Sequence, residues 1–267
     1  MPDRKSDDFS INAYGIDPWL AASTDMASSS IHNSLQQLSR IRPDAPTAAW
    51  PIGLEIGIQE KSFNGEPAKG GCCKLLEDFG VAYRPLQLVR PLRTRAASEL
   101  AAYYLFRNCS ELTPASLCKA NALLGGSGII RTHKHQTSKY ASGHRSVFLP
   151  PERVAMEMDH LLYQINGGSQ LDPFRFAVAG MLHLLGIHPF SDANGRLSCL
   201  LFQYLLFKRR VISFPLLPLG PFLEKNRAEW LHALLTFNLR HTLDGVYDML
   251  ARGVKETTGA VERALKN

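Results

Sequence analysis

The run from Pro173 to Ile187 constrains this chain most. Phe176, Val178, Met181, Leu185 and Ile187 put apolar side chains on nearly every side of one helix. A helix that is hydrophobic all round must be covered on all sides. It falls short of the ~18 apolar residues that would span a bilayer, so its cover has to come from the rest of the protein. Asp172-Pro173 opens it with a capping side chain followed by proline at the first helical position.

The remaining pattern supplies that cover as further helices. Leu20, Met26, Ile31, Leu35 and Leu38 form one stripe of a predicted helix over about 19–38, after first residues expected to be frayed. Pro43, Pro46 and Pro51 then break the chain, and residues 52–95 read as irregular structure with short helices. A helix is predicted from Ala96 through Leu100, Tyr103, Tyr104 and Phe106, and another from Thr113-Pro114 to Gly125-Gly126. Arg131 to Pro151 has the composition of a hairpin loop, ending in the β-prone Val147-Phe148-Leu149. Next comes a helix burying Val154, Met158, Leu161, Leu162 and Ile165. Beyond the central helix, Leu197, Leu200, Leu201, Tyr204 and Leu205 mark a helix from about Asn194 to Arg210, and two more are predicted over about 224–240 and 243–264. The fold class is all-α with one small β-hairpin, organised as an N-terminal helical extension (1–94) and a main domain (95–267).

Charge and cysteine content narrow the function classes. The net charge of +6 permits an acidic partner, but the basic residues are scattered. The one short cluster, Lys208-Arg209-Arg210, sits where a helix C-terminus favours cations, so nucleic acid is not expected as a partner. Cys72, Cys73, Cys109, Cys118 and Cys199 are odd in number and lack a C-x-x-C pair, which favours reduced thiols over disulfides or zinc. No membrane span or signal-peptide core is visible. The expected location is the cytoplasm, or outside the cell by a route that needs no cleaved signal.

The turn after the central helix reads His188-Pro189-Phe190-Ser191-Asp192-Ala193-Asn194-Gly195-Arg196. A helix that restarts there leaves its first backbone N–H groups without intrahelical partners, at the positive end of its dipole. Ala193 and Gly195 leave room for an oxyanion, and Arg196 adds a guanidinium fork suited to phosphate. Asp192 is a hard oxygen ligand of the kind that holds Mg²⁺ against phosphate oxygens. His188 can take a proton from an attacking hydroxyl. Singly, these residues would serve as a helix cap or a tight turn; together they describe a phosphate cradle with a base beside it.

That stretch resembles the Fic/Doc (Fido) family signature H-x-F-x-[D/E]-G-N-G-R-x-x-R, with Ala193 in place of a Gly and Cys199 in place of the second Arg. The resemblance extends over roughly residues 95–255. It implies a Fic-fold helical bundle with a flap over the active site at His133, Lys134, His135, Gln136, Thr137 and Ser138, where a target protein would dock by strand addition. It implies a Mg²⁺-dependent transfer of a nucleotide monophosphate, AMP from ATP in the usual case, to a Ser, Thr or Tyr hydroxyl of that target. His188 would be the base and Asp192 the metal ligand. Ser191, Ala193, Asn194, Gly195 and Arg196 would line the phosphates, Phe190 would anchor the loop, and Asn238 would contact the base. A homodimer is compatible with this reading.

Two departures coincide. The inhibitory helix of many relatives carries [S/T]-x-x-x-E-[G/N], and Ser28 to Asn33 fits that pattern at both ends with His32 in place of the Glu. Its ionic partner is the signature Arg that Cys199 replaces. Losing both avoids leaving a buried carboxylate unpaired. A second match at Thr258 to Glu262 lacks the final Gly or Asn. The changes imply a helix that no longer inhibits in the usual way and a weaker contact to a γ-phosphate. A non-catalytic nucleotide- or protein-binding module, a phosphocholine or other phosphoryl-group transferase, and a Doc-like kinase stand as alternatives.

Overall fold

The computed structural model describes residues 9–14, 16–21, 35–36, 102–103, 105–137, 144–167, 170–212 and 219–266. In chain order these form β1 (Phe9–Asn12), α1 (Pro114–Leu123), β2 (His144–Val147), α2 (Pro151–Gly167), α3 (Pro173–Ile187), α4 (Asn194–Lys208), α5 (Leu219–Lys225), α6 (Arg227–Arg240) and α7 (Asp244–Lys266). Residues 102–103 and 105–108 are also helical, inside the helix predicted from Ala96.

The apolar run is the central helix. Phe176, Ala177, Val178, Ala179 and Leu184 of α3 are completely buried, between α2 on one side and α4 on the other. Gly180 permits the close crossing with α4, because a Cβ there would lie 2.5 Å from Leu205 Cδ1. The caps form as their sequences require. Asp172 Oδ1 accepts from the N–H groups of Phe174 and Arg175 at 3.0 and 3.1 Å, and Thr113 forms a capping box with Ser116 at the start of α1. The basic cluster is structural: Lys208 Nζ donates to the Ile165 carbonyl in the last turn of α2 at 3.3 Å, and Arg209 lies over the Phe176 ring at 4.1 Å.

The two legs of the expected hairpin meet in one antiparallel bridge, and β2 pairs with β1 on its other side. Thr137 N–H donates to Ser146 O (2.9 Å) and Phe148 N–H donates to His135 O (3.1 Å), so Gln136 and Val147 face each other as a non-hydrogen-bonded antiparallel pair. The main-chain groups of Val147 therefore point to the opposite edge. β1 fills that edge in parallel register, from Phe9 against His144 to Asn12 against Val147, and Ala13 N–H donates to Val147 O at 2.9 Å. Residues 9–12, near the end expected to fray, are thus held by sheet bonds and by burial of Ile11.

The helix expected from Trp19 does not start there. Asp17 Oδ1 accepts from Trp19 N–H at 2.9 Å, and Leu20 N–H donates to Asp17 O at 3.2 Å, which closes a turn. Leu20, expected to begin the apolar stripe, is 81% exposed, and it is Trp19 that points into the core, at 6% exposure. Leu35 and Gln36 are helical and Leu35 is buried. Ser28, His32 and Asn33, with most of the predicted inhibitory helix, lie outside the described residues, as do residues 40–95. The Trp19 indole N–H donates to His183 Nδ1 of α3 at 2.9 Å, which seats the N-terminal segment on the central helix. Gly186 lies under the same segment, where a Cβ would approach the Ala13 carbonyl oxygen to 2.9 Å. Gly186→Ala is expected to lower stability by about 1–2 kcal/mol and to speed proteolysis within residues 9–21. Thermal unfolding and limited proteolysis check this; an unchanged midpoint and cleavage pattern would mean that the segment is not seated on α3.

Candidate active site

The site is built where α3 stops. His188 caps the helix in the left-handed region, with φ 49° and ψ 58°, and its N–H donates to Leu184 O at 3.0 Å. Phe190, wholly buried, bridges to Ile130 and pins the loop to the core. Asn194 closes it: its Oδ1 accepts from Phe190 N–H at 3.1 Å and its Nδ2 donates to Phe190 O at 2.8 Å. The Asn194 side chain, expected to reach phosphate, is therefore committed to the loop and is 2% exposed. Ala193 also adopts positive φ, at 64°, a conformation that costs a non-glycine residue about 1 kcal/mol. That geometry turns the chain straight into α4.

The start of α4 is open. Its first helical bond runs from Leu197 N–H to Ala193 O at 2.9 Å, and the N–H groups of Asn194, Gly195 and Arg196 have no partner among the described residues. Gly195 is exposed, and a Cβ on it would meet nothing within 4 Å, so the surface beside these amides is open. This is the arrangement that receives a phosphate oxygen. Arg196 borders it, with Nη1 donating to Leu124 O at 2.5 Å and Nη2 to Asp192 Oδ2 at 3.2 Å. Asp192 is a 74% exposed carboxylate whose Oδ1 accepts from Ala193 N–H at 2.5 Å and whose carbonyl accepts from Asn121 Nδ2 at 2.9 Å. Ser191 is exposed beside it.

The imidazole of His188 lies under flap residues, close enough to Asp192 to feel its charge. Its Nδ1 lies 3.3 Å from Leu185 O, so the proton belongs on Nδ1 and the Nε2 lone pair is left as the base. The Phe148 ring stacks on it at 3.7 Å between centroids, and the His135 ring lies nearly parallel at 5.0 Å. Burial is the largest influence and pushes its pKa down to about 3. Neighbouring His135 and Arg131 push the same way, while the Leu185 carbonyl and Asp192 oppose them. The group is neutral at pH 7, as a proton acceptor must be.

Arg131, which the sequence marks only as the start of the hairpin, organises the site. It is 3% exposed, and its guanidinium donates to four carbonyls: His188 O at 2.6 Å, His133 O at 2.8 Å, Ile187 O at 3.1 Å and Leu149 O. The end of α3 and both legs of the flap thus converge on one cation. Lys134 and Gln136 are exposed on the flap, His135 and Thr137 are half-buried, and Ser138 lies outside the described residues. Cys199 is a half-buried thiol against the core, and Asn238 lies half-buried on α6, which packs on α5 and α7.

A second cluster, Glu157, His160 and His183, has the donor types of a metal site. The Trp19 indole can only donate to His183 Nδ1, which places that imidazole's proton on Nε2, the atom 3.5 Å from Glu157 Oε2. The cluster is a hydrogen-bonded clamp on the N-terminal segment, with Arg153 on the other Glu157 oxygen at 2.9 Å.

The model of the Fic/DOC family matches residues 111–206, the span from the helix before the flap to the body of α4. The chain carries a Fic/DOC-family segment over these residues. Solved Fic structures share its fold. A Fic family protein from Desulfovibrio desulfuricans G20 superposes with a TM-score of 0.57 at 15% identity, over 90% of this chain and 75% of that one. A Fic-domain-containing signaling protein from Bacteroides thetaiotaomicron VPI-5482 gives 0.56 at 19% identity, over 89% and 96%. Fic-1 from C. elegans gives 0.54 at 17% identity, over 90% and 72%. No curated protein sequence matches the chain. Fic-domain proteins transfer nucleotide or phosphoryl groups to proteins.

The open start of α4 generates a direct test. Gly195→Ala adds a methyl group where nothing stands, in a helix, so the melting temperature should hold or rise slightly. The same methyl group narrows the approach to the amides, so nucleotide affinity measured by calorimetry should fall at least tenfold. Unchanged affinity would remove the helix start from the binding site.

Proposed function

We propose that this protein is a Fic-type transferase that moves a nucleotide monophosphate from a nucleotide donor to a Ser, Thr or Tyr hydroxyl of a target protein. The observation that carries this reading is a neutral His188, with Nδ1 tied to Leu185 O, at one end of a short loop whose other end is the unpartnered amides that open α4. His188 Nε2 takes the hydroxyl proton as the oxygen attacks the α-phosphorus. The new O–P bond forms, the bond to the bridging oxygen breaks, and the remaining phosphate chain leaves. The amides of Asn194 to Arg196 and the Arg196 guanidinium face the charge that develops on the phosphoryl oxygens, in a site already organised before binding. Asn194 and Arg131 act as positioning residues, by fixing the loop and the flap.

A divalent ion fits the residues present. Asp192 offers one exposed carboxylate at the rim of the cradle, and Mg²⁺ typically takes one or two carboxylates together with phosphate oxygens and water. Bound there, Mg²⁺ would neutralise charge on the phosphate chain. The donor is less constrained than the chemistry. Cys199 provides no cation one turn beyond Arg196, so AMP transfer from ATP stands beside transfer from another nucleotide diphosphate donor, CDP-choline included.

Incubation with α-labelled and γ-labelled ATP and with other labelled nucleotides tests both points. Label from the α position on protein is the expected outcome. Label from γ alone would establish a kinase, and no label from any donor would favour a binding module. His188→Ala should reduce transfer by about 10²–10⁴-fold with nucleotide affinity retained. Cys199→Arg should tighten ATP binding; equal, tight binding by both proteins would contradict the γ-phosphate argument.

A further inference from the structure

The flap hairpin has two edges, and the described residues cover only one of them. β1 bonds to β2 on the outer side. On the inner side Gln136 turns its N–H and C=O outward, because it is the non-hydrogen-bonded partner of Val147. Neither Gln136 nor Lys134 makes a hydrogen bond among the described residues. An edge of this kind is a template for an added strand. Its position bears on the proposed chemistry, since the neighbouring His135 ring lies 5.0 Å from that of His188.

Strand geometry then sets the register. Successive side chains alternate between faces. The rings of His133 and His135 meet at 6.3 Å, and that of His135 meets Phe148 at 5.7 Å, so these three share the face turned to His188. Lys134 and Gln136 therefore share the other. An incoming residue that exchanges main-chain bonds with Gln136 points away from His188, and its neighbour, opposite His135, points toward it. The next residue along lies opposite Lys134.

The charge of the flap is one-sided. Between Arg131 and Leu149 the sequence holds four Lys or Arg residues (Arg131, Lys134, Lys139 and Arg145), three His (His133, His135 and His144) and no Asp or Glu. Of these, Arg131 is consumed by carbonyls, while the Lys134 ammonium is exposed at the free edge. Such a field attracts acidic segments and penalises basic ones.

Strand addition at the flap edge is what the family resemblance implies; we propose that in this chain the segment it accepts is acidic, with the hydroxyl residue opposite His135 and a carboxylate residue directly beside it, opposite Lys134. This rests on the transferase reading above. It adds a recognition rule: the residue next to the modified one is Asp or Glu, and Lys134 selects it.

The experiment compares wild type with Lys134→Glu. Each full-length protein labels a cell lysate from the α position of a tagged nucleotide, and the modified residues and their neighbours are mapped by mass spectrometry. The wild type should place Asp or Glu beside the modified residue about fivefold more often than beside unmodified hydroxyl residues of the same proteins. Lys134→Glu should lose that bias and shift it toward Lys or Arg, and added salt should weaken both preferences. Identical sites for the two proteins, or sites without charge bias, would overturn the recognition rule while leaving the transferase reading intact. Labelling confined to this chain itself would overturn the separate acidic target in the same way. No transfer from any donor would overturn the transferase reading, and the rule with it.

Discussion

The guanidinium of Arg131 is the point on which the site depends. Among the described residues it is buried without a carboxylate partner, and four carbonyl oxygens take its place. Two of them, from Ile187 and His188, belong to the negative end of the α3 dipole. The other two belong to the strand entering and the strand leaving the flap. Burial lowers the pKa of this group, yet a guanidinium stays charged in a protein. Its cost of desolvation is met only if all the surrounding carbonyls stay in place. The end of the central helix and the flap are therefore one mechanical unit, and the stacking of Phe148 and His135 on His188 follows from it.

Around that unit the backbone breaks local rules. His188 and Ala193 both hold positive φ, and neither is glycine. Strain of this kind persists where the surrounding structure over-determines it. Here the burial of Phe190, the two bonds from Asn194 to Phe190 and the Arg131 bonds do so. What the strain achieves is directional. One left-handed residue ends α3 with the imidazole under the flap, and the other turns the chain into α4 a few residues later.

Much of this was legible in the sequence. The all-round apolar character of residues 173–187 placed the central helix, and Asp172-Pro173 and Thr113-Pro114 marked two helix starts, because caps and proline act locally. The hairpin could be read from composition, and the cradle from the spacing of His188, Asp192, Gly195 and Arg196. What could not be read depends on pairing across long separations. β1 is four residues long, and only the edge of β2 makes it a strand. Trp19 looked like the first residue of an amphipathic helix because nothing local announces a bond to His183, 164 residues away. Arg131 looked like any loop arginine, since carbonyls leave no sequence signature. Asn194 was legible as essential to the turn, but its inward direction was not. A short polar side chain at a helix start can serve the ligand or the loop, and here the unpaired main-chain groups of buried Phe190 claim it.

The central claim is that the fold delivers His188 to the cradle neutral, with its proton on Nδ1 and its lone pair on Nε2. Nitrogen-15 NMR of the imidazole, followed across pH in the intact protein, reads both properties. The account predicts an Nδ1–H tautomer at pH 7 and no protonation until well below pH 5, as burial and the neighbouring cations hold the pKa near about 3. An Nε2–H tautomer, or titration at the ordinary histidine value of about 6.5, would contradict it.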